Sequence, residues 1–243
     1  MSSLFISDDF VFETIEGEGR LVGRPSIFMR LAMCNLTCIG FKSPDSPFGC
    51  DSYVSWSKKN KMSFDEVFAL FESKGYDKKL NANTHVLKIT GGEPFIQQNA
   101  LIEFNEYLNK KQVMASIDFE TNGTIVPDDY WMMNGASFTV SPKLKSNGDP
   151  FEKRYKPEAL EYHAANFSSF KFVIQNEEDV KEVIENYVDK FAIENEQIWL
   201  MPCCGSRQEH SERAAFVAEV CKREGFNFSP RLQLVIWDKA LKV

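Results

Sequence analysis

Strand-like apolar runs alternate with amphipathic helical runs along almost the whole chain. That alternation constrains the fold more than any other feature. PSIFMRLA (25–32), HVLKIT (85–90), VMASIDFE (113–120), SFTVS (137–141), SSFKFVIQ (168–175), EQIWLMP (196–202) and SPRLQLVIW (229–237) read as strands. SFDEVFALFESKG (63–75), QQNALIEFNEYLNKK (97–111), NEEDVKEVIENYVDKF (176–191) and SERAAFVAEVCKREG (211–225) read as helices. Ser63 and Asn176 suit helix starts, and Gly75 and Gly225 suit helix ends. The pattern predicts an α/β fold: an open partial (β/α) barrel with a mainly parallel sheet of about six to seven strands, as one domain over residues 1–243. Seven strands are too few for a closed eight-stranded barrel. Sites in such folds collect in the loops after the strands' C-terminal ends, where GGEP, TNGT, SPK, Gln175 and a cysteine cluster all fall.

The cysteine cluster lies in CNLTCIGFKSPDSPFGCDS, residues 34–52, with spacing C-x3-C-x11-C. Cys34, Cys38 and Cys50 are soft ligands that suit zinc or an iron–sulfur cluster. Structural zinc wants four protein ligands, and none of the three histidines, His85, His163 and His210, is near in sequence. Three thiolates on a four-iron cluster would leave one iron open. The cysteines alone leave both metals, and plain buried thiols, in play. Cys203, Cys204 and Cys221 read as unliganded thiols.

A net charge of −7 argues against direct nucleic-acid binding, while leaving room for a small anionic substrate held by arginine. No apolar run reaches the ~20 residues of a membrane span. The start MSSLFISDDF has neither the basic region nor the apolar stretch of a secretory signal, so a cytoplasmic location is expected. The 21 phenylalanines read as core payload.

Taken together, VFETIEGEGRLVGRPSIFMRLAMCNLTC (11–38), CDSYVSW (50–56), ITGGEP (89–94), FETNGT (119–124), VSPK (140–143) and SPRLQLVIW (229–237) resemble the 7-carboxy-7-deazaguanine synthases. These are a branch of the radical S-adenosylmethionine (SAM) enzymes, and the resemblance runs in order over nearly the whole chain. It implies a lyase-type enzyme of queuosine-type 7-deazapurine biosynthesis. Such an enzyme converts 6-carboxy-5,6,7,8-tetrahydropterin to 7-carboxy-7-deazaguanine with loss of ammonia, using SAM as a regenerated cofactor. Cys34, Cys38 and Cys50 would hold a 4Fe–4S cluster. Gly91, Gly92, Glu93, Ser141, Lys143 and Gln175 would bind SAM, with Glu93 offered to its positive charge. Glu16, Glu18, Arg30 and Gly92 would bind the pterin, and Ser52 a magnesium ion. An electron donor such as flavodoxin and a homodimer are also implied.

The chain departs from the family's pattern at three places. The last cysteine interval is x11 in place of x2, so a loop bearing Pro44, Pro47 and Gly49 is inserted. Gly49 stands where an aromatic residue is usual, which leaves Phe48 or Phe41 to touch the adenine. Glu16 replaces a common glutamine, and Gln233 a common histidine. Two alternatives remain open: a glycyl-radical-activating enzyme of the same superfamily, and a non-catalytic, zinc-stabilised binding protein.

Overall fold

A computed structural model describes residues 3–42 and 46–239. One sheet of nine strands organises them, in the order β3-β1-β2-β4-β5-β6-β7-β8-β9. The strands are β1 (Ser3–Ile15), β2 (Pro25–Leu31), β3 (Asn60–Ser63), β4 (Val86–Gly91), β5 (Ile117–Thr121), β6 (Ser137–Val140), β7 (Ser169–Ile174), β8 (Ile198–Pro202) and β9 (Asn227–Phe228). From β2 through β9 every pairing is parallel. Both pairings of β1, with β2 and with β3, are antiparallel. The sheet keeps two free edges, β3 and β9, so the barrel is open as expected.

The expected six to seven strands match the parallel part, with one substitution. SPRLQLVIW is not a strand: Leu232–Trp237 is a short helix. The backbone N–H of Leu232 donates to the Gly17 carbonyl (2.9 Å) instead of to a sheet neighbour. Periodicity cannot separate strand from helix in so short an apolar run. The last strand is Asn227–Phe228 just before it, and Ser229 N–H extends that ladder by one bond to Leu200.

The helices largely follow their local signals. Phe64–Lys74 opens on a capping box between Ser63 and Glu66 and closes on Gly75 in the left-handed region. Gln98–Lys110 buries Leu101, Phe104 and Leu108, one helical stripe. Arg207–Glu224 starts earlier than expected, because Ser206 accepts the Glu209 N–H and so caps it there.

Alternation along the strands divides the sheet into two faces. Leu87, Ile89, Phe119, Phe138, Phe170 and Phe172 belong to the apolar core shared with Leu101, Phe104, Trp131 and Val183. Each such side chain stabilises the fold by about 1.5–3 kcal/mol on burial. Between them fall Lys88, Asp118, Glu120 and Lys171, on the face that lines the inside of the barrel. The core therefore sits outside the barrel, under the helices, and the interior is polar.

Candidate active site

The loops after the parallel strands enclose a cavity of about 140 Å³. Its walls bring together Cys34, Cys38, Cys50 and Ser52 from the cysteine loop, and Gly91 and Gly92 from the end of β4. Ser141 and Lys143 follow β6, and Gln175 follows β7. Residues far apart in sequence thus meet in one place, as their positions at strand ends require.

Burial pushes the Cys34 thiol up to about 11 and the Cys38 thiol up to about 12, and it raises Cys50 as well. Each of the first two is raised further by the nearby Cys50. Such thiols stay protonated at neutral pH until a metal displaces the proton. Among the described residues, no three His, Cys, Asp or Glu side chains are gathered tightly enough to grip one metal ion. A four-iron cube takes each thiolate through a different iron and so wants the three spread around a space. Three soft donors around a common cavity fit that group.

The insertion closes on itself at its base. Gly40 and Gly49 both have positive φ, 47° and 106°. A Cβ on Gly49 would lie 2.2 Å from the Ile39 carbonyl oxygen, and one on Gly40 would lie 2.9 Å from the Cys50 Cα. Only glycine permits this neck. It sets Cys50 against Gly40, the residue before position 41, where a short x2 interval after Cys38 would place a cysteine. Pro44 lies outside the described residues. Of the two candidate aromatics, Phe41 lines the cavity together with Trp56, while Phe48 packs on Tyr53 and Trp56.

Gly91 and Gly92 let β4 pass close to the cysteine loop. A Cβ on Gly91 would meet the Leu31 oxygen at 2.1 Å, and one on Gly92 the Met33 oxygen at 2.0 Å. Glu93 does not face the cavity. It is fully buried, accepting the Phe95 and Asn122 backbone N–H groups and the Thr121 hydroxyl. Burial raises its carboxyl to about 7 in spite of those donors. The geometry corrects its expected role from exposed acceptor to internal brace for the TNGT turn, where Asn122 in turn donates to Asn35 (2.8 Å).

Glu16, Glu18 and Arg30 do not line the cavity wall; they belong to a charged floor inside the barrel. Arg30 donates to Ser55, lies over the Phe12 ring, and feels Asp51, Glu120, Glu18 and Glu16. Glu16 is buried 3.2 Å from Lys88, which also donates to Asp118 at 2.6 Å. The charge that the Gln-to-Glu departure adds is therefore matched inside the protein. Desolvation still raises the Glu16 carboxyl against the pull of Lys88. Glu18 accepts from Lys171 (2.5 Å), Arg231 (2.9 Å) and Gln233 (2.7 Å). Burial works to raise its carboxyl, but Lys171 and Arg231 outweigh it and hold Glu18 well below the usual carboxylate range.

Lys88, Asp118, Glu120, Lys171 and Arg231 are absent from the sequence reading. For the first four the signal is one or two charges embedded in a largely apolar strand, VLKIT, IDFET and SFKFVI; Arg231 lies outside the strands, in SPRLQ. Glu120 reaches the cavity wall and accepts from Lys171 at 2.7 Å. It therefore connects the floor to the cavity. Cys203 also lines the cavity, with its thiol raised by burial.

Known proteins resemble this chain closely enough to fix its family. It is 32% identical to the 7-carboxy-7-deazaguanine synthase of Pyrobaculum aerophilum over 234 residues, 95% of this chain and 94% of the relative. It is 33% identical to that of Hyperthermus butylicus over 238 residues, 93% and 90% of the two chains. The Halobacterium salinarum synthase is 30% identical over 258 residues, 95% and 90% of the two. The crystal structure of QueE from Escherichia coli superposes with a TM-score of 0.66 at 22% identity, covering 95% of this chain and 94% of that one, which supports the fold. A scan against protein-family models finds no match.

Proposed function

The chain belongs to the 7-carboxy-7-deazaguanine synthase family, and from that premise we propose the role of each part of its site. The reaction is conversion of 6-carboxy-5,6,7,8-tetrahydropterin to 7-carboxy-7-deazaguanine with loss of ammonia, within queuosine-type 7-deazapurine synthesis. The observation that carries the reading is the junction of the three cysteines, the GG turn and the SPK loop around one cavity.

Cys34, Cys38 and Cys50 hold the 4Fe–4S cluster. When bound, the cluster and SAM supply one-electron, hydrogen-abstracting chemistry. The backbone at Gly91 and Gly92 approaches the SAM amino acid without a side chain in the way. Ser141, Lys143 and Gln175 bind the remainder, Lys143 as the positive charge for the SAM carboxylate. Lys143 is already oriented, its ammonium donating to Ser141 at 3.1 Å. Phe41 and Trp56 shield the chamber from water.

The pterin lies above the floor. Arg30 grips its carboxylate through a planar fork of N–H groups, and the Glu18 carboxylate accepts from its ring N–H and amino groups. Glu16 backs Glu18, whose N–H donates to it at 3.2 Å. Ser52 stands at the cavity beside Asp51, two oxygen donors of the kind magnesium prefers. An external donor such as flavodoxin, a homodimer and a cytoplasmic location belong to the same proposal.

The test is anaerobic. The protein is reconstituted with iron and sulfide, reduced, and given SAM and 6-carboxytetrahydropterin. Ammonia and 7-carboxy-7-deazaguanine in excess of SAM consumed establish the reaction and the catalytic use of SAM. Deoxyadenosine without that product moves the substrate. A colourless protein that takes up zinc and ignores reductant overturns the reading.

A further inference from the structure

Arg231 sits in the SPRLQ segment and sends its side chain far from its own neighbourhood. Its guanidinium is buried and held at all three nitrogens and on its face by groups from separate parts of the chain. Nε donates to Glu18 at 2.9 Å, Nη1 donates to the Cys204 carbonyl, and Nη2 donates to Asp51 at 3.2 Å. The plane lies over the Phe41 ring, 4.1 Å from its centroid. Glu18 belongs to the loop after β1. Phe41 stands at the start of the insertion and Asp51 just past its end, next to Cys50. Cys204 follows β8.

The segment around Arg231 makes the same connection through its backbone and neighbours. Ser229 accepts the Gly19 N–H at 2.7 Å, Leu232 N–H donates to the Gly17 carbonyl at 2.9 Å, and Gln233 donates to Glu18. Gly17 has no room for a side chain, since a Cβ would lie 1.9 Å from the Gln233 amide oxygen. The EGEG loop is thus clasped from one side, and Arg231 carries the clasp across to the cysteine loop.

We propose that Arg231 is a positioning residue that locks the loop bearing Cys50 to the substrate-reading carboxylate Glu18, so that the enlarged cysteine loop helps set substrate binding. The proposal rests on the reading of Glu18 as a pterin ligand. Its chemistry is that of a rigid guanidinium fork, which holds two carboxylates at fixed separation while its face takes an aromatic ring. Lysine offers a charge without the fork. Arg231 does not itself line the cavity, so it acts through Glu18, Asp51 and the Phe41 ring.

Arg231→Gln and Arg231→Lys test this with two independent readouts. In the reconstituted enzyme, Arg231→Gln keeps its iron and its ability to cleave SAM. The KM for 6-carboxytetrahydropterin rises roughly tenfold or more, and more deoxyadenosine is released per product formed. Arg231→Lys recovers part of the KM and does not recover the coupling. Hydrogen exchange of the protein without substrate is the second readout. Arg231→Gln speeds exchange at 16–19 and at 49–52 together, and Asp51→Asn speeds both but adds nothing to Arg231→Gln. A wild-type enzyme that makes no product from the pterin sinks the assigned reaction, and the exchange arm still judges the lock. Exchange confined to 16–19, or wild-type KM and coupling in Arg231→Gln, overturns it. So do equal losses of iron, fold and activity in both variants, which indicate a purely structural residue.

Discussion

The Glu93 carboxylate accepts the backbone N–H of Asn122 at 2.7 Å, so the turn after β4 holds the turn after β5 in place. Glu93→Ala strands the Thr121 hydroxyl and two buried backbone donors, at Phe95 and Asn122. An unsatisfied buried group costs about 1–3 kcal/mol. The variant is expected to lose several kcal/mol in urea unfolding. Glu93→Gln, which keeps a carbonyl acceptor, loses less. Equal stability of Glu93→Ala and wild type in denaturant would show that the brace carries no energy.

Gly92→Ala puts a methyl group 2.0 Å from the Met33 carbonyl oxygen and 2.8 Å from the Cys34 Cβ. Relief requires the Met33–Cys34 backbone to move, and overpacking of this kind costs about 1–3 kcal/mol. The expected result is a folded protein with sharply reduced iron and sulfide per chain after reconstitution. Wild-type metal content in a folded Gly92→Ala would contradict the close approach.

Lys171 neutralises two carboxylates at once, Glu18 and Glu120. Lys171→Met leaves Glu120 without its ion pair at the cavity wall and leaves Glu18 to Arg231 and Gln233. Breaking a buried pair by removing one partner costs about 3–5 kcal/mol. Calorimetry is expected to show a large fall in melting temperature. A double change of Lys171→Met with Glu120→Gln recovers part of it, because the stranded charge is removed. Failure of the double variant to recover anything would mean the ion pair is not what Lys171 contributes.

His163 supplies one part of the pH dependence. It is fully buried against Phe138, and burial depresses its pKa from 6.5 to about 3. Between those values the unfolded chain binds a proton that the folded chain refuses at His163, so this group's contribution to stability falls as the pH falls, opposite in sign to that of Glu93. The slope approaches about 1.4 kcal/mol per pH unit. The stability of wild type relative to His163→Leu is expected to fall from pH 7 to pH 5. A gap that stays constant over that range would show that His163 takes up its proton without unfolding.

Local chemistry made much of this structure readable beforehand. The capping box at Ser63 and the glycine at 75 bound a helix whatever surrounds it. The cavity residues were readable because loops at strand ends converge once the parallel sheet is assumed. The polar barrel interior was not. Lys88 or Lys171 in an apolar strand looks like a solvent-facing charge until the sheet curves and closes that face inward. Glu93 was misjudged because its acceptors' partners, at Thr121 and Asn122, come from the next strand. β1 went unseen since DDFVFETI mixes charge with apolar residues, and its register with β2 shifts between Ile6 and Val11. Residues 232–237 were misread because tertiary contact with Gly17, and no local signal, decides their form.

The clasp on the EGEG loop also dictates an order of events during biosynthesis. Gly19 finds its acceptor 210 positions later, at Ser229, and Glu18 finds Arg231 213 positions later. Pairings at such separation form late, because the intervening loop entropy must be overcome before they reward the chain. A nascent polypeptide that has already released its three cysteines from the ribosome still lacks the segment that secures Glu18 and Asp51. The segment from Asn227 to Trp237 thus secures Glu18 and Asp51 only after the cysteine loop has been made.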